Sequence, residues 1–181
     1  MTGVPGAISR SLLALGLAEL GKFEEIEEIA HEVLDLVQKV GNAFTLTAAN
    51  TFLALAYLRQ GKVKRALQLL DESYKQCRQY QVKASYSFTL AILGYAYFLS
   101  NEFARALSAL EGGAKEENLE AGQRWEVLLF TALADTYRAM GKIELAKETI
   151  SRALKTASSR GERGWEAWAM LVQAGIIYNM L

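Results

Sequence analysis

The chain of 181 residues is poor in several residue types, and each shortage excludes a class of structure. Its one cysteine, Cys77, allows no disulfide within the chain, so a reducing compartment is the expected setting. Its one proline, Pro5, leaves every helix after the first few residues free of proline interruption. Its one histidine, His31, stands among acids without the spaced partners of a zinc site. We therefore predict no metal and no other cofactor.

Charge and hydrophobic length exclude two further classes of partner. Lysine plus arginine number 20, as do aspartate plus glutamate, so the formal net charge is zero. Non-specific nucleic-acid binding needs a basic surface, and none is expected here. No apolar run reaches the roughly eighteen residues of a membrane span, and the N-terminus lacks the regions of a signal peptide. We expect a cytoplasmic protein that binds neither nucleic acid nor membrane.

The chain is rich in one pattern, which recurs every forty residues. Its turn residues are Gly21, Gly61, Asn101 and Gly141. A leucine, a small residue and a further apolar residue precede each turn, as Leu13-Ala14-x-x-Leu17, Leu53-Ala54-x-x-Tyr57, Leu93-Gly94-x-x-Tyr97 and Leu133-Ala134-x-x-Tyr137. Such a period indicates a repeat architecture in which each unit packs on its neighbours. Apolar spacing of three and four around the turns indicates helices, so we predict an all-α chain of about nine helices.

The turns also give domain boundaries. We predict an N-terminal segment at residues 1–5 and an array at 6–181, divided into repeats at 6–41, 42–81, 82–123 and 124–161 and a half repeat at 162–181. Gly112 and Gly113 each cost roughly 1 kcal/mol relative to alanine inside a helix. We therefore expect a short or frayed sixth helix, followed by a polar loop from Lys115 to Gln123 and a helix from Arg124.

These columns resemble the tetratricopeptide repeat (TPR), which implies a right-handed α-solenoid of helical hairpins. The period of 40 exceeds the 34 residues usual for the family, and the proline that usually ends the second helix is missing. A narrower resemblance rests on Ser9–Ala14, Leu17–Gly21, Leu93–Tyr97 and Glu162–Ala169. These segments are similar to the C-terminal TPR region of bacterial class III adenylate/guanylate cyclase–ATPase signalling proteins. The resemblance implies a regulatory fragment of a larger protein, whose cyclase and ATPase motifs this chain does not contain.

The TPR resemblance also implies where a partner binds, because the first helix of each hairpin lines a concave face in that family. The implied groove residues are Thr51, Phe52, Leu55, Arg59, Phe88, Ile92, Tyr95, Phe98, Thr131, Asp135 and Arg138. We predict a non-catalytic scaffold that binds a protein, a peptide or a sister domain there. The alternative is a small-molecule sensor that holds an apolar ligand in the same groove. A third interpretation is that these residues pack on one another as an inner core.

The last predicted helix presents an apolar edge with no second helix after it. Its edge residues are Trp168, Leu171, Ile177 and Tyr178. Repeat arrays need a polar cap at their ends. We therefore expect that the chain continues in a parent protein or that two chains cover each other's ends as a homodimer.

The remaining features suggest no enzyme. No nucleophile–base pair or paired carboxylates converge on the implied groove, and no catalytic residue is predicted. Acids concentrate at residues 19–35 and bases at 59–83. Opposite charges on adjacent repeats can steer a polar partner or order the repeats, although a solvated outer face is the more common meaning.

Overall fold

The computed structural model describes residues 5–115 and 125–179. Within these ranges it contains nine α-helices and no strand, so the predicted all-α fold is confirmed. The helices are α1 (Pro5–Glu19), α2 (Glu24–Val40), α3 (Ala43–Arg59), α4 (Val63–Gln79), α5 (Lys83–Leu99), α6 (Phe103–Ala114), α7 (Glu126–Ala139), α8 (Ile143–Arg160) and α9 (Arg163–Tyr178).

The sixth helix is short, as predicted, but the glycines do not end it. α6 has 12 residues where α5 has 17, and it continues through Gly112 and Gly113 to Ala114. Of the predicted polar loop only Lys115 lies within the described residues, and the predicted helix start at Arg124 lies outside them. α7 begins at Glu126, after Trp125.

The turns inside the hairpins share one left-handed geometry. Gly21, Gly61, Asn101 and Gly141 have φ values of 72°, 75°, 59° and 72°. At each, the backbone N–H after the turn residue donates to a carbonyl five residues earlier, for example Lys62 to Tyr57 at 2.9 Å. This bond belongs to the Schellman motif, which satisfies a carbonyl at the end of a helix. It explains why glycine or asparagine recurs at this position.

A second series of left-handed residues lies between the hairpins. Gly41, Gln81 and Gly161 have φ values of 62°, 51° and 65°. They are spaced by multiples of forty residues, as the first series is. Glutamine at position 81 hides this regularity in the sequence, because a side chain at positive φ is uncommon.

The chain divides into two compact units, Met1–Ile92 (unit 1) and Leu93–Leu181 (unit 2). In unit 1, α1 packs on α2 and α3, and α3 packs on α4. Every residue of α3 from Thr47 to Leu58 is buried. α2 and α4 instead bury one stripe each, which in α4 consists of Ala66, Leu70, Ser73 and Cys77. First helices therefore form the centre of the core, and second helices cover them.

Unit 2 repeats this plan. α7 is buried from Val127 to Ala134 and packs on α6, α8 and α9. α5 and α6 approach each other closely at Gly94, where an added Cβ would lie 2.8 Å from Leu110 Cδ2 and 3.2 Å from the Ala106 carbonyl oxygen. In the other repeats the same position holds the fully buried alanines Ala14, Ala54 and Ala134. The small residue is therefore buried in every repeat, and at Gly94 it allows two helices to approach closely.

Candidate interaction surfaces

The predicted groove residues of unit 1 are packed against one another. Thr51, Leu55 and Ile92 are fully buried, and Phe52 and Phe88 are nearly so. The Phe52 and Phe88 ring centroids are 5.0 Å apart, and the Thr51 and Thr89 hydroxyl oxygens are 3.1 Å apart. The Thr51 hydroxyl is also close enough to donate to the Thr47 carbonyl, at 2.7 Å. In this conformation these five residues pack as an inner core and do not line an open groove.

Arg59, the remaining groove residue of unit 1, is tied to α1. Its Nε donates to Glu19 Oε1 at 2.7 Å, and its side chain is about a quarter exposed, at 27%. The bond joins the ends of two successive first helices. Arg59 therefore links repeats in the free chain.

The predicted groove residues of unit 2 retain more exposure and form two groups. The first is an aromatic cluster of Tyr95, Trp165 and Trp168, all half-buried. The Tyr95 and Trp168 centroids are 5.2 Å apart with an edge-on geometry, and those of Trp165 and Trp168 are 5.9 Å apart. Phe98, also half-buried, contacts Phe103 at 5.8 Å. Trp168 was predicted to lie on the terminal edge, whereas its ring packs inward against Tyr95.

The second group is a polar face on α7. Thr131, Asp135 and Arg138 lie at positions i, i+4 and i+7, which share one side of a helix. Asp135 Oδ1 accepts from both Nε and Nη2 of Arg138, each at 2.7 Å. Thr131 is fully buried, and its hydroxyl has no hydrogen-bond partner among the described residues.

α9 contacts both groups of unit 2. Trp168 meets Tyr95, and Gly175, seven residues later on the same side of α9, lies beside Arg138. A Cβ at Gly175 would be 3.4 Å from Arg138 Nε, so the guanidinium lies close over the backbone there. Unit 2 thus carries aromatic rings, a carboxylate and a guanidinium along one face built from α5, α7 and α9. We call this face the inner face of unit 2.

The terminal edge of α9 is a continuous apolar stripe. Leu171, Ile177 and Tyr178, three of the predicted edge residues, are exposed. Sequence reasoning missed Met170, which is 57% exposed, and the exposed Ala167 and Ala174. The α9 stripe consists of Ala167, Met170, Leu171, Ala174, Ile177 and Tyr178. Ala167, Met170 and Ala174 lie forty residues after buried residues of α7. The repeat period could therefore have identified them as positions that a neighbouring helix covers in the preceding repeat.

An ion-pair cluster at the turn of the second repeat joins part of the acidic segment to part of the basic one. Glu27 on α2 accepts from Lys62 Nζ and Arg65 Nη1, both at 2.6 Å, and from the Tyr57 hydroxyl at 3.3 Å. Burial raises the pKa of Glu27, but Lys62 and Arg65 outweigh burial through hydrogen bonds and charge, so the pKa falls below its ordinary value. Together with Glu19–Arg59, these pairs join the acidic segment to the basic one. Here the segregated charges order adjacent repeats.

Tyr57, Tyr97 and Tyr137, which recur every forty residues, keep their hydroxyls near charged groups. Burial first, and then the neighbouring Glu27, raise the pKa of Tyr57 to about 12, although Arg65 opposes them. Burial and the bond to Glu111, at 2.8 Å, raise the pKa of Tyr137 to about 12. Both phenols stay protonated at neutral pH, so neither is poised to act as a base. Residues 5–115 and 125–179 hold no group of three or more potential metal ligands.

Two further observations bear on ligand classes. A cleft of about 520 Å³ lies in unit 1 where α2 and α4 end and α3 begins, lined in part by Val37, Asn42, Leu46 and Tyr80. None of the predicted groove residues lines it. Among the helices of the described residues, none combines the length and the hydrophobicity that crossing a membrane requires.

Comparison with known proteins identifies the fold. No protein-family model and no curated protein sequence matches the chain. The chain is similar in structure to nearly identical TPR-like repeats of a kinesin light chain-like protein of Podosopora anserina, with a TM-score of 0.65 and 18% sequence identity over 94% of this chain and 92% of that one. A single-substitution variant of that protein matches equally, with 18% identity over 95% of both chains. At this identity the likeness shows the fold alone: the chain is an all-α helical solenoid of TPR-like hairpins.

Proposed function

We propose that the chain is a non-catalytic scaffold that binds another protein or a peptide through the inner face of unit 2. The observation that carries the proposal is the contrast between the two sets of predicted groove residues. Five of the six predicted groove residues of unit 1 are buried against one another, and Arg59 alone of these six keeps partial exposure. In unit 2 four of the five, Tyr95, Phe98, Asp135 and Arg138, keep part of their surface exposed, and Thr131 is buried. TPR-like folds in general support interaction between proteins, which agrees with this assignment.

The chemistry of this face favours a peptide with both apolar and polar groups. Half-buried aromatic rings offer large contact areas at a low cost in side-chain entropy. The Asp135–Arg138 pair and the buried Thr131 hydroxyl offer directional hydrogen bonds. A partner residue that reaches Thr131 would satisfy a polar group that lacks a partner among the described residues, so such a contact would add specificity.

Binding is tested with peptides selected from a random peptide library on the immobilised wild-type chain. Replacing Tyr95 with alanine or Arg138 with glutamine should weaken the selected peptides about tenfold, since hot spots of this type cost about 1–2 kcal/mol. Arg152→Gln on α8 is the matched control and should leave affinity unchanged. Retained helical content by circular dichroism separates lost binding from lost folding. Peptides that bind all the variants equally would refute the proposal.

The narrower proposals rest on the sequence resemblance. We propose that the chain is a cytoplasmic regulatory part of a larger bacterial signalling protein and that its partner is a sister domain of that protein. The small-molecule alternative assigns an apolar ligand to the same residues. It requires that such a ligand displace the contacts of Tyr95 with Trp168, and binding of apolar compounds that raises the melting temperature would favour it. Self-association through α9 stays a prediction.

A further inference from the structure

The α9 stripe repeats a surface that is already covered in the preceding repeat. Ala167, Met170, Ala174 and Ile177 lie forty residues after Val127, Phe130, Ala134 and Tyr137 of α7, which are all buried. α8 packs along α7 and buries a seam of Ala146, Ile150, Ala153 and Ala157. Leu171 and Tyr178 correspond instead to Thr131 and Arg138, and Arg138 faces α9 itself. Ala167, Met170, Ala174 and Ile177 therefore form the part of α9 that corresponds to the surface α8 covers on α7.

The small residue Ala174 indicates which kind of partner side chain would pack against α9. Its counterpart in the third repeat, Gly94, meets Leu110 of α6, and its counterpart in the fourth repeat, Ala134, lies in the core with Ile150 of α8. Leu110 and Ile150 are themselves forty residues apart. A large aliphatic residue thus packs on the small residue in the third repeat, and the period of forty puts Ile150 in the same register relative to Ala134. The partner is expected to place leucine or isoleucine against Ala174, with alanines on either side.

The charges of α7 and α8 fix the direction of the partner. Glu126, in the first turn of α7, pairs with Arg152 at 3.1 Å and with Arg160, the last residue of α8, at 2.7 Å. The Arg152 guanidinium also lies 3.9 Å from the Phe130 ring centroid. Glu166, in the first turn of α9, is forty residues after Glu126 and makes no ion pair among the described residues. A partner helix that runs antiparallel to α9 would bring its basic C-terminal half to Glu166.

We propose that α9 binds an amphipathic helix of another protein in the manner of α8. The helix runs antiparallel to α9, carries the seam Ala-x-x-x-Ile/Leu-x-x-Ala, and has arginine two and ten residues after the central aliphatic position, as Arg152 and Arg160 follow Ile150. A second copy of this chain matches less well. Its α8 is engaged with its own α7 and α9, and its α9 has Arg163 as its sole base, in the first turn. In an antiparallel pair of α9 helices that base would lie far from Glu166 of the other copy.

The chain supplies its own probe for this surface. A labelled peptide with the sequence of α8, residues 143–160, is cross-linked on its exposed face to hold it helical, and its affinity is measured by fluorescence anisotropy. We expect saturable binding to the wild-type chain. Ala174→Glu, at a position exposed in the free chain, should weaken binding about tenfold or more without changing the melting temperature. Glu166→Arg should weaken it about tenfold and restore it for a peptide whose two matching arginines are glutamates.

A control variant and two further measurements distinguish a helix of another protein from a second copy of this chain on the α9 stripe. Leu145→Glu places the same charge at an exposed apolar residue of α8 outside the stripe and should leave peptide affinity unchanged. Absence of binding to the wild type, or equal binding to Ala174→Glu, would overturn the proposal. Light scattering that shows a dimer of the wild type, lost in Ala174→Glu, would assign the stripe to a second copy instead. The inner face of unit 2 is untouched by these variants, so its proposed function stands or falls separately.

Discussion

Gly94 lies where packing leaves no room for a side chain. Leu110 is fully buried, so it cannot move aside for an added methyl group. Gly94→Ala should therefore destabilise the chain by about 1–3 kcal/mol, although alanine favours the helix. Gly16→Ala is the control, because nothing lies within 4 Å of a Cβ there, and it should stabilise by about 1 kcal/mol or less. Urea denaturation measures both, and similar effects of the two variants would contradict the packing explanation.

Glu27 links stability to pH. The folded-state pKa of Glu27 lies below its ordinary value, so its stabilising contribution is present above the unfolded pKa and is lost as pH falls through the folded pKa. Because the cluster is partly exposed, Glu27→Gln should cost about 1 kcal/mol or less at pH 7. The difference from wild type should shrink as the pH falls through the folded pKa of Glu27.

A matched variant controls for the loss of any acid from the same helix. Glu25 pairs with Lys22 at 3.8 Å with both side chains mostly exposed, and Glu25→Gln should change stability by less than about 0.5 kcal/mol at any pH. Denaturation midpoints between pH 3 and pH 7 test the pair of variants. A deficit of Glu27→Gln that persists unchanged in acid would show that its charge is not the cause.

Several residue roles could be predicted because the period repeats them. The small residue before each turn is buried in every repeat, and Tyr57 and Tyr137 each bond to a glutamate. Which acid or base meets each tyrosine could not be predicted. Tyr57 meets Glu27 of the preceding repeat, whereas the Tyr97 ring lies 4.0 Å from the Arg105 guanidinium of its own repeat. Such partners depend on side-chain reach between helices, which the period does not encode.

Among the structural elements, the turn after α4 departs from its counterparts. Gln81 holds a positive φ that glycine adopts at positions 41 and 161. A residue with a Cβ costs roughly 1–2 kcal/mol in this conformation, and glycine would remove that strain. Part of this stabilisation is lost because glycine has greater conformational freedom in the unfolded chain. Gln81→Gly should therefore stabilise by about 0.5–1 kcal/mol, measured as a shift in the urea midpoint. Gln79→Gly, in the last turn of α4, should instead destabilise, and stabilisation by both would refute this explanation.

Burial shows why the inward faces of the first helices could not be separated from the core by sequence. α2 and α4 alternate buried and exposed residues with helical spacing, so their orientation follows from pattern. α3 and α7 are buried on all sides over most of their length, so no polar stripe marks a groove. Trp168 shows the same difficulty at the end of the chain: its hydrophobicity predicted an exposed edge, yet it packs on Tyr95.

For the molecule as a whole, the repeat period predicted the fold class. The division into two compact units, by contrast, has no marker in the sequence. The division between Ile92 and Leu93 falls inside α5, far from any turn residue. The predicted repeat boundaries follow the turns and stay predictions. The segregation of acids and bases was visible in the sequence, but the pairing of Glu19 with Arg59 and of Glu27 with Lys62 was not.

The rate at which a thiol reagent labels Cys77 can report how often the fold of unit 1 opens. Cys77 is 2% exposed in unit 1, its Sγ lies 3.9 Å from Thr89 Oγ1, and burial raises the pKa of its thiol. A thiol reagent can reach it only after α4 has moved away from the core, so the labelling rate reports how often unit 1 opens. We expect labelling of the folded chain to be slower than that of the urea-unfolded chain by a factor that tracks the stability of unit 1. Labelling at the unfolded rate would show that α4 does not stay closed.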